Sequence, residues 1–204
     1  MSLKQYIEQS LKAVRLTSPS DLNKIQNLDV ALQADCENLI IIYGGSFNPP
    51  HKGHLEVLLS GLHPELGAAA VLVLPSEDFH LRHKLANNHL EFFLSQDRRA
   101  DLLDALPGIP KDRVWVWSST WYPLKPFMET LVRLTRADGF QVAFAHLVGP
   151  DNLNLQNPLD IYPYELPRMV VSNKARYVAE HFRGNGRPVV WTGFGEWSRS
   201  DDGD

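Results

Sequence analysis

The chain has 204 residues, of which 44% are hydrophobic and 22% charged, so it can form one globular domain with a substantial core. A formal net charge of −4 argues against non-specific nucleic-acid binding, and the single cysteine, Cys36, leaves no partner for an intrachain disulfide. No apolar run approaches the roughly 20 residues that span a bilayer, and the N-terminus shows no secretory pattern. We therefore expect a soluble protein without membrane or nucleic-acid partners, in the cytoplasm, with the nucleus as a candidate additional compartment.

Residues 1–35 are predicted to form a helical extension ahead of the main domain. Apolar side chains recur there at helical spacing, namely Leu3, Tyr6, Ile7, Leu11 and Val14. This pattern predicts an amphipathic helix over 3–15 that packs against the core. The stretch TSPSD (17–21) ends this helix and precedes a weaker helical segment.

From residue 39 onward, short apolar strands alternate with helical segments. The predicted strands are 39–43, 69–75, 113–119, 140–149, 169–173 and 188–192, and the predicted helices are 53–62, 92–106, 126–138 and 173–182. Near-continuous apolar strands separated by helices are typical of a parallel sheet covered on both faces. Residues 36–204 are therefore predicted to form one α/β domain with a Rossmann-like, doubly wound parallel sheet.

The stretch YGGSFNPPHKGH (43–54) lies between the first predicted strand and the first helix, where doubly wound proteins bind ligands. Gly44 and Gly45 are expected to allow positive φ and close approach of a phosphate to the backbone. His51 and His54 are three apart, so a helix starting here would turn both rings to one side. Such a pair can stabilise charge on a phosphate group in transfer. A surface turn with two histidines remains an alternative, as does a metal site, although no third ligand lies nearby in sequence.

The segment GGSFNPPHKGH resembles the signature of the HxGH nucleotidyltransferases, and its GSFNPPH part is most similar to nicotinamide or nicotinate mononucleotide adenylyltransferases. The resemblance covers residues 39–175. It implies an enzyme that joins ATP and the mononucleotide into NAD or deamido-NAD and releases pyrophosphate, with Mg²⁺ bound chiefly through ATP. It also implies that His54 is the main catalytic residue, assisted by His51. The implied ATP-binding residues are Gly45, Ser46, Phe47, His51, His54, Gly149 and Asp151.

Two further segments extend this resemblance towards the mononucleotide phosphate. LPSEDFHLRHK (74–84) is similar to the family's loop after the second strand, in which Lys84 would bind that phosphate; a solvated basic loop is the alternative. Arg99 matches an arginine that opens a helix in the family, with Arg98 as a rival one position earlier.

VWSSTWYPLKPFMETLVRL (116–134) is similar to the family segment whose aromatic residues hold the nicotinamide ring. The resemblance assigns this role to Trp117 and Phe127, and adds Thr130 and Asn48 to the substrate contacts. A core position is the alternative for Trp117, because large aromatic residues on strands are usually buried.

HLVGPDNLNL (146–155) resembles a family segment in which Gly149 leaves room for the nucleotide and Asp151 accepts a hydrogen bond from a ribose hydroxyl. A turn-capping aspartate is the alternative.

The family's C-terminal Ser/Thr–Arg phosphate clamp has only a weak match here, Ser198–Arg199. Two alternatives therefore stay open: another HxGH cytidylyl- or adenylyltransferase acting on phosphopantetheine or a phospho-alcohol, and a nucleotide-binding, chaperone-like protein with little transfer activity. The N-terminal extension resembles fungal-type members. The sequence is compatible with the amide and the acid form of the substrate and with assembly into a homo-oligomer.

Overall fold

The computed structural model describes residues 2–149, 166, 168–172 and 174, except for the side chains at 20 and 21. The strands are β1 (Glu37–Gly45), β2 (Ala68–Pro75), β3 (Val114–Val116), β4 (Gln141–Val148) and β5 (Met169–Val171). The helices are α1 (Leu3–Ala13), α2 (Pro19–Asn23), α3 (Lys52–Ser60), α4 (Asp78–Asn87), α5 (Gln96–Asp104) and α6 (Leu124–Ala137), with a short 3₁₀ turn at Pro64–Leu66.

The strands form one sheet in the order β3-β2-β1-β4-β5, and every neighbouring pair is parallel. The order reverses at β1, whose neighbours are β2 and β4. In such sheets the crevice at the carboxyl ends of the strands, beside this reversal, is the usual ligand site. The predicted doubly wound α/β fold is confirmed for the described part of the chain.

Two apolar layers cover the sheet because successive side chains of each strand point to opposite faces. On one face Ile40 and Ile42 pack with residues of α1 and α6. On the other face Ile41 packs with residues of α3 and α5. Burial on both faces explains why β1 reads as a continuous apolar run rather than as an alternating pattern.

The N-terminal helix α1 belongs to the first of these layers. Its residues Leu3, Tyr6 and Ile7 are almost completely buried, and the Tyr6 hydroxyl donates a 2.6 Å hydrogen bond to Asp138 Oδ2 beyond the end of α6. Burial, together with this neighbouring carboxylate, raises the pKa of Tyr6 to about 12. The expected packing of this helix against the core is confirmed.

The structure corrects the prediction for residues 74–84, which were expected to form a loop. Residues from Asp78 onward form α4 instead. Leu81 is its one fully buried residue, so the helix has no apolar stripe that sequence periodicity could detect.

The remaining boundaries agree with the predicted elements to within a few residues where the structure describes them. The largest shift is in α5, predicted from residue 92 but beginning at Gln96, because Ser95 is its N-cap and accepts from the Arg98 backbone N–H. Gly139, with φ 87°, follows the C-cap of α6 and takes the left-handed conformation that terminates helices. The predicted helix 173–182 and strand 188–192 lie outside the described residues.

No helix in the described part of the chain has the length and apolar character needed to cross a membrane.

Candidate functional site

His51 and His54 lie together at the carboxyl end of β1, where α3 begins. His51 is the N-cap of α3, and His54 lies in its first turn. Their rings stack with a centroid separation of 3.7 Å and an interplanar angle of 25°. The sequence-based expectation that both rings face one side is confirmed by this geometry.

A backbone hydrogen bond orients the His54 ring. The His51 N–H donates to His54 Nδ1 over 3.2 Å, so Nδ1 is the acceptor and Nε2 carries the hydrogen in the neutral imidazole. The Phe47 ring meets the His54 ring edge to face at 5.0 Å. A neutral His54 can therefore donate a hydrogen bond from Nε2 to an anion while its ring stays fixed.

The Phe47 ring packs against His54 of the histidine pair. Its side chain is fully buried, and its backbone takes a positive φ of 50°. A Cβ on Gly45 would approach the Phe47 ring to 3.0 Å, so the missing side chain at this position admits the ring. This corrects the expectation for the glycines. Gly44 and Gly45 belong to β1 without positive φ, and the residue of this stretch with positive φ is Phe47.

Asn48 joins the motif loop to the segment that precedes α5. Its Oδ1 accepts from Leu94 N at 2.8 Å, and its Nδ2 donates to the Phe92 carbonyl at 2.7 Å. The peptide bond from Asn48 to Pro49 is cis. Because the amide is already engaged at both ends, the structure gives this predicted substrate contact an anchoring role within the protein.

Lys84 reaches the motif loop from α4. Its Nζ lies 3.4 Å from Ser46 Oγ, and its side chain is exposed. An ammonium group and a hydroxyl at this separation can share one phosphate between them. The structure thus brings together the two groups that were predicted to bind different phosphates.

Arg99, the better of the two arginine matches, is fully buried beneath these loops, whereas Arg98 is exposed. The Arg99 guanidinium donates to the carbonyl oxygens of Leu94, Ser46 and Ser76 at 2.9, 2.7 and 2.7 Å. It also pairs with Asp78 Oδ1 at 2.9 Å. Burial lowers the pKa of Arg99, and the Asp78 carboxylate opposes that shift.

The two aromatic residues predicted to hold the nicotinamide ring lie in the core. Trp117 is 3% exposed and Phe127 0%, and their rings pack against each other at 5.1 Å. Trp117 Nε1 donates to the Thr120 carbonyl. Neither ring has a face open to a ligand in this arrangement, as the alternative core interpretation of Trp117 anticipates.

Sequence reasoning missed Trp121, which is the more accessible tryptophan at this end of the sheet. Its Nε1 donates to the Pro75 carbonyl at the end of β2, and its backbone N–H donates to Glu77 Oε1 at 2.7 Å. The His80 ring stacks on it at 5.2 Å and 18°. The usable signal was its position: it lies beyond β3 in the polar stretch SSTWY, outside the alternating strand pattern.

The other predicted site residues lie at different depths. Gly149 is buried directly after β4, and Thr130 is half-buried within α6. Asp151, Ser198 and Arg199 lie outside the described residues.

Comparison with known proteins agrees with this arrangement at the level of a superfamily. Residues 42–131, which run from β1 into α6, match a family model described as cytidylyltransferase-like. No curated protein shows a significant match to the chain. Residues 42–131 are therefore similar to a cytidylyltransferase-like domain, and this similarity supports a nucleotidyltransferase activity in general.

Proposed function

We propose that this protein joins ATP and nicotinamide or nicotinate mononucleotide to form NAD or deamido-NAD and pyrophosphate. The stacked pair of His51 and His54, at 3.7 Å beside the carboxyl end of β1, is the observation that carries the proposal. The resemblance of GSFNPPH to the mononucleotide adenylyltransferases selects this reaction among nucleotidyl transfers.

In the proposed reaction, an oxygen of the mononucleotide 5′-phosphate attacks the α-phosphorus of ATP. A new P–O bond forms, the bond from the α-phosphorus to the bridging oxygen breaks, and pyrophosphate leaves with that oxygen. Such transfers require positioning and stabilisation of charge rather than a covalent nucleophile. His54 donates from Nε2 to the α-phosphate as its charge rises, and His51 holds the departing phosphates.

Mg²⁺ enters this proposal bound to the ATP phosphates. Over the residues that the structure describes, no group of three His, Cys, Asp or Glu side chains is placed to hold a metal ion. Mg²⁺ often retains water and substrate phosphate ligands, so such a protein cage is not needed.

The reaction is tested by incubating the purified protein with ATP, Mg²⁺ and each mononucleotide, and by measuring the dinucleotide chromatographically. Formation of either dinucleotide supports the proposal. Transfer from CTP but not from ATP would instead favour a cytidylyltransferase. Nucleotide binding without any transfer would favour the chaperone-like alternative, in which case suppression of client aggregation becomes the next measurement.

Lys84 is expected to bind the mononucleotide phosphate together with Ser46. Replacing Lys84 by alanine should raise KM for the mononucleotide by about tenfold or more, because hydrogen bonds to charged groups contribute about 1.5–3 kcal/mol. The KM for ATP should change much less. Steady-state kinetics with each substrate varied in turn measure both values.

A matched control for this variant is Lys111→Ala, since Lys111 lies near the start of β3 at the opposite end of the sheet and pairs with Asp104 at 3.8 Å. It should leave both KM values unchanged. An equal rise of both KM values in Lys84→Ala would contradict a specific contact with the mononucleotide phosphate.

Trp121 is our candidate for stacking on the pyridine ring of the mononucleotide. Trp121→Ala should raise KM for the mononucleotide by about two- to tenfold, because an aromatic stacking pair contributes about 0.5–1.5 kcal/mol beyond its buried area. Tyr122→Ala is the matched control, since Tyr122 is adjacent and 92% exposed, and it should have little effect.

The original prediction for Trp117 is tested in the same series with Trp117→Phe, which keeps an aromatic ring in the core. If that variant raises KM for the mononucleotide while Trp121→Ala does not, ring binding belongs to Trp117.

A further inference from the structure

Arg99 connects the loops on which the proposed phosphate-binding groups lie. It is the largest of the fully buried side chains in the described residues. Its bonds to the Ser46 and Ser76 carbonyls join the loop after β1 to the loop after β2. Its bonds to Asp78 and Leu94 join the start of α4 to the segment before α5. One guanidinium group therefore forms hydrogen bonds to four residues near the carboxyl ends of β1 and β2.

The residues that Arg99 binds lie next to both groups of the proposed mononucleotide phosphate site, Ser46 and Lys84. Ser46, whose carbonyl it binds, carries the hydroxyl that lies 3.4 Å from Lys84 Nζ. Asp78, whose carboxylate it binds, is the first residue of the helix that carries Lys84. The guanidinium thus links the loop that carries Ser46 to the start of the helix that carries Lys84.

A side chain that only stabilised the fold would not need to be a buried guanidinium group. Burying a cation is unfavourable unless its donors are satisfied, and apolar residues commonly fill such positions at no loss of stability. Here three backbone carbonyls from three different segments converge on Arg99, and the Asp78 carboxylate also accepts from the Gln96 backbone N–H at 2.6 Å. Only a planar group with several fixed donors can satisfy this arrangement.

We propose that Arg99 is a positioning residue, which sets the separation between Ser46 and Lys84 and thereby the affinity of the site for the mononucleotide phosphate. The inference rests on the proposed function for its ligand. It does not require Arg99 to touch the substrate, since its side chain is completely buried.

The test compares Arg99→Ala and Arg99→Lys with wild type at a temperature at which circular dichroism shows each protein to be folded. Both variants should raise KM for the mononucleotide by about tenfold or more, with a smaller change in KM for ATP. Arg98→Ala is the matched control, because Arg98 is exposed on the same helix, and its kinetics should equal those of wild type.

Chemical rescue separates positioning from stability. Guanidinium chloride at low millimolar concentration, far below the range that unfolds proteins, should restore much of the lost affinity in Arg99→Ala. Equal concentrations of sodium chloride or urea should not. Equal recovery with all three additives, or folded variants with wild-type KM values, would overturn the inference.

Binding measured by calorimetry makes the result independent of catalysis. Arg99→Ala should bind nicotinamide mononucleotide about tenfold more weakly than wild type and should bind nicotinamide riboside, which lacks the phosphate, equally well. If wild type makes no dinucleotide but shows this difference, the proposed function fails and the inference stands. If wild type does not bind the mononucleotide, or if both ligands lose affinity equally, the inference is wrong.

Discussion

Replacing His54 by alanine is expected to lower kcat by about 10²–10³-fold, because it removes a preorganised donor to the phosphate in the transition state. The structure supports this role by fixing the ring. The His51 N–H holds His54 Nδ1, and the Phe47 and His51 rings bracket the imidazole. A donor held in this way needs no reorganisation when negative charge develops. KM for both substrates should change much less than kcat, which single-turnover and steady-state kinetics can establish.

Two substitutions at the same position separate the donor from the fold of the helix start. His54→Asn keeps a side-chain oxygen that can accept from the His51 N–H, but it cannot reach as far as Nε2. His54→Gln offers a longer side chain with an N–H donor. We expect glutamine to retain more activity than asparagine, and asparagine to be as impaired as alanine.

His63→Ala serves as a control for the His54 series, since His63 lies before β2 at the opposite end of the sheet. It should have wild-type kcat. Equal activity of His54→Ala and wild type would remove the histidine pair from the mechanism.

The sheet could be predicted from the sequence because its strands are short apolar runs separated by amphipathic helices. Strand β1 and helix α6 are examples. In β1 the residues Ile40, Ile41 and Ile42 of the apolar run are fully buried, and α6 buries Leu124, Phe127, Met128 and Leu131. Helix α4 was missed because its burial involves essentially one leucine. Most of its other residues are exposed, among them Phe79, Arg82 and Lys84, so neither the helical nor the strand period of apolar residues is visible in this segment.

The sequence predicts the candidate site correctly only where the arrangement of residues depends on their local spacing. The separation of His51 and His54 placed both rings at one helix start, and the structure shows them stacked. Burial depends on tertiary packing, which spacing does not encode. Trp117, which directly follows β3, lies in the core, whereas Trp121 is half-buried at the edge of the sheet.

The role of Arg99 could not be read from the sequence for a related reason. Three of its four partners are backbone carbonyl groups, which residue identity does not reveal. Backbone acceptors are present at every position, and only the fold determines which of them converge.

Buried His146 is expected to make the protein less stable in mild acid. It lies in β4 next to Ile42 of β1 and is 5% exposed. Burial lowers the pKa of His146 to about 4, below the value of about 6.5 for an exposed histidine. Between these two values the unfolded chain binds more protons than the folded chain, so the free energy of unfolding falls as the pH falls. From pH 7 to pH 5 this one group should remove about 2 kcal/mol.

Urea unfolding of wild type and of His146→Asn and His146→Leu, at a series of pH values, isolates this contribution. Neither replacement titrates, so the difference between wild type and each variant should change by about 2 kcal/mol from pH 7 to pH 5, while effects of other groups cancel. The direction is fixed: relative to its own value at pH 7, each variant should lose less stability than wild type. Curves that stay parallel over this range would show that His146 is not held neutral by burial.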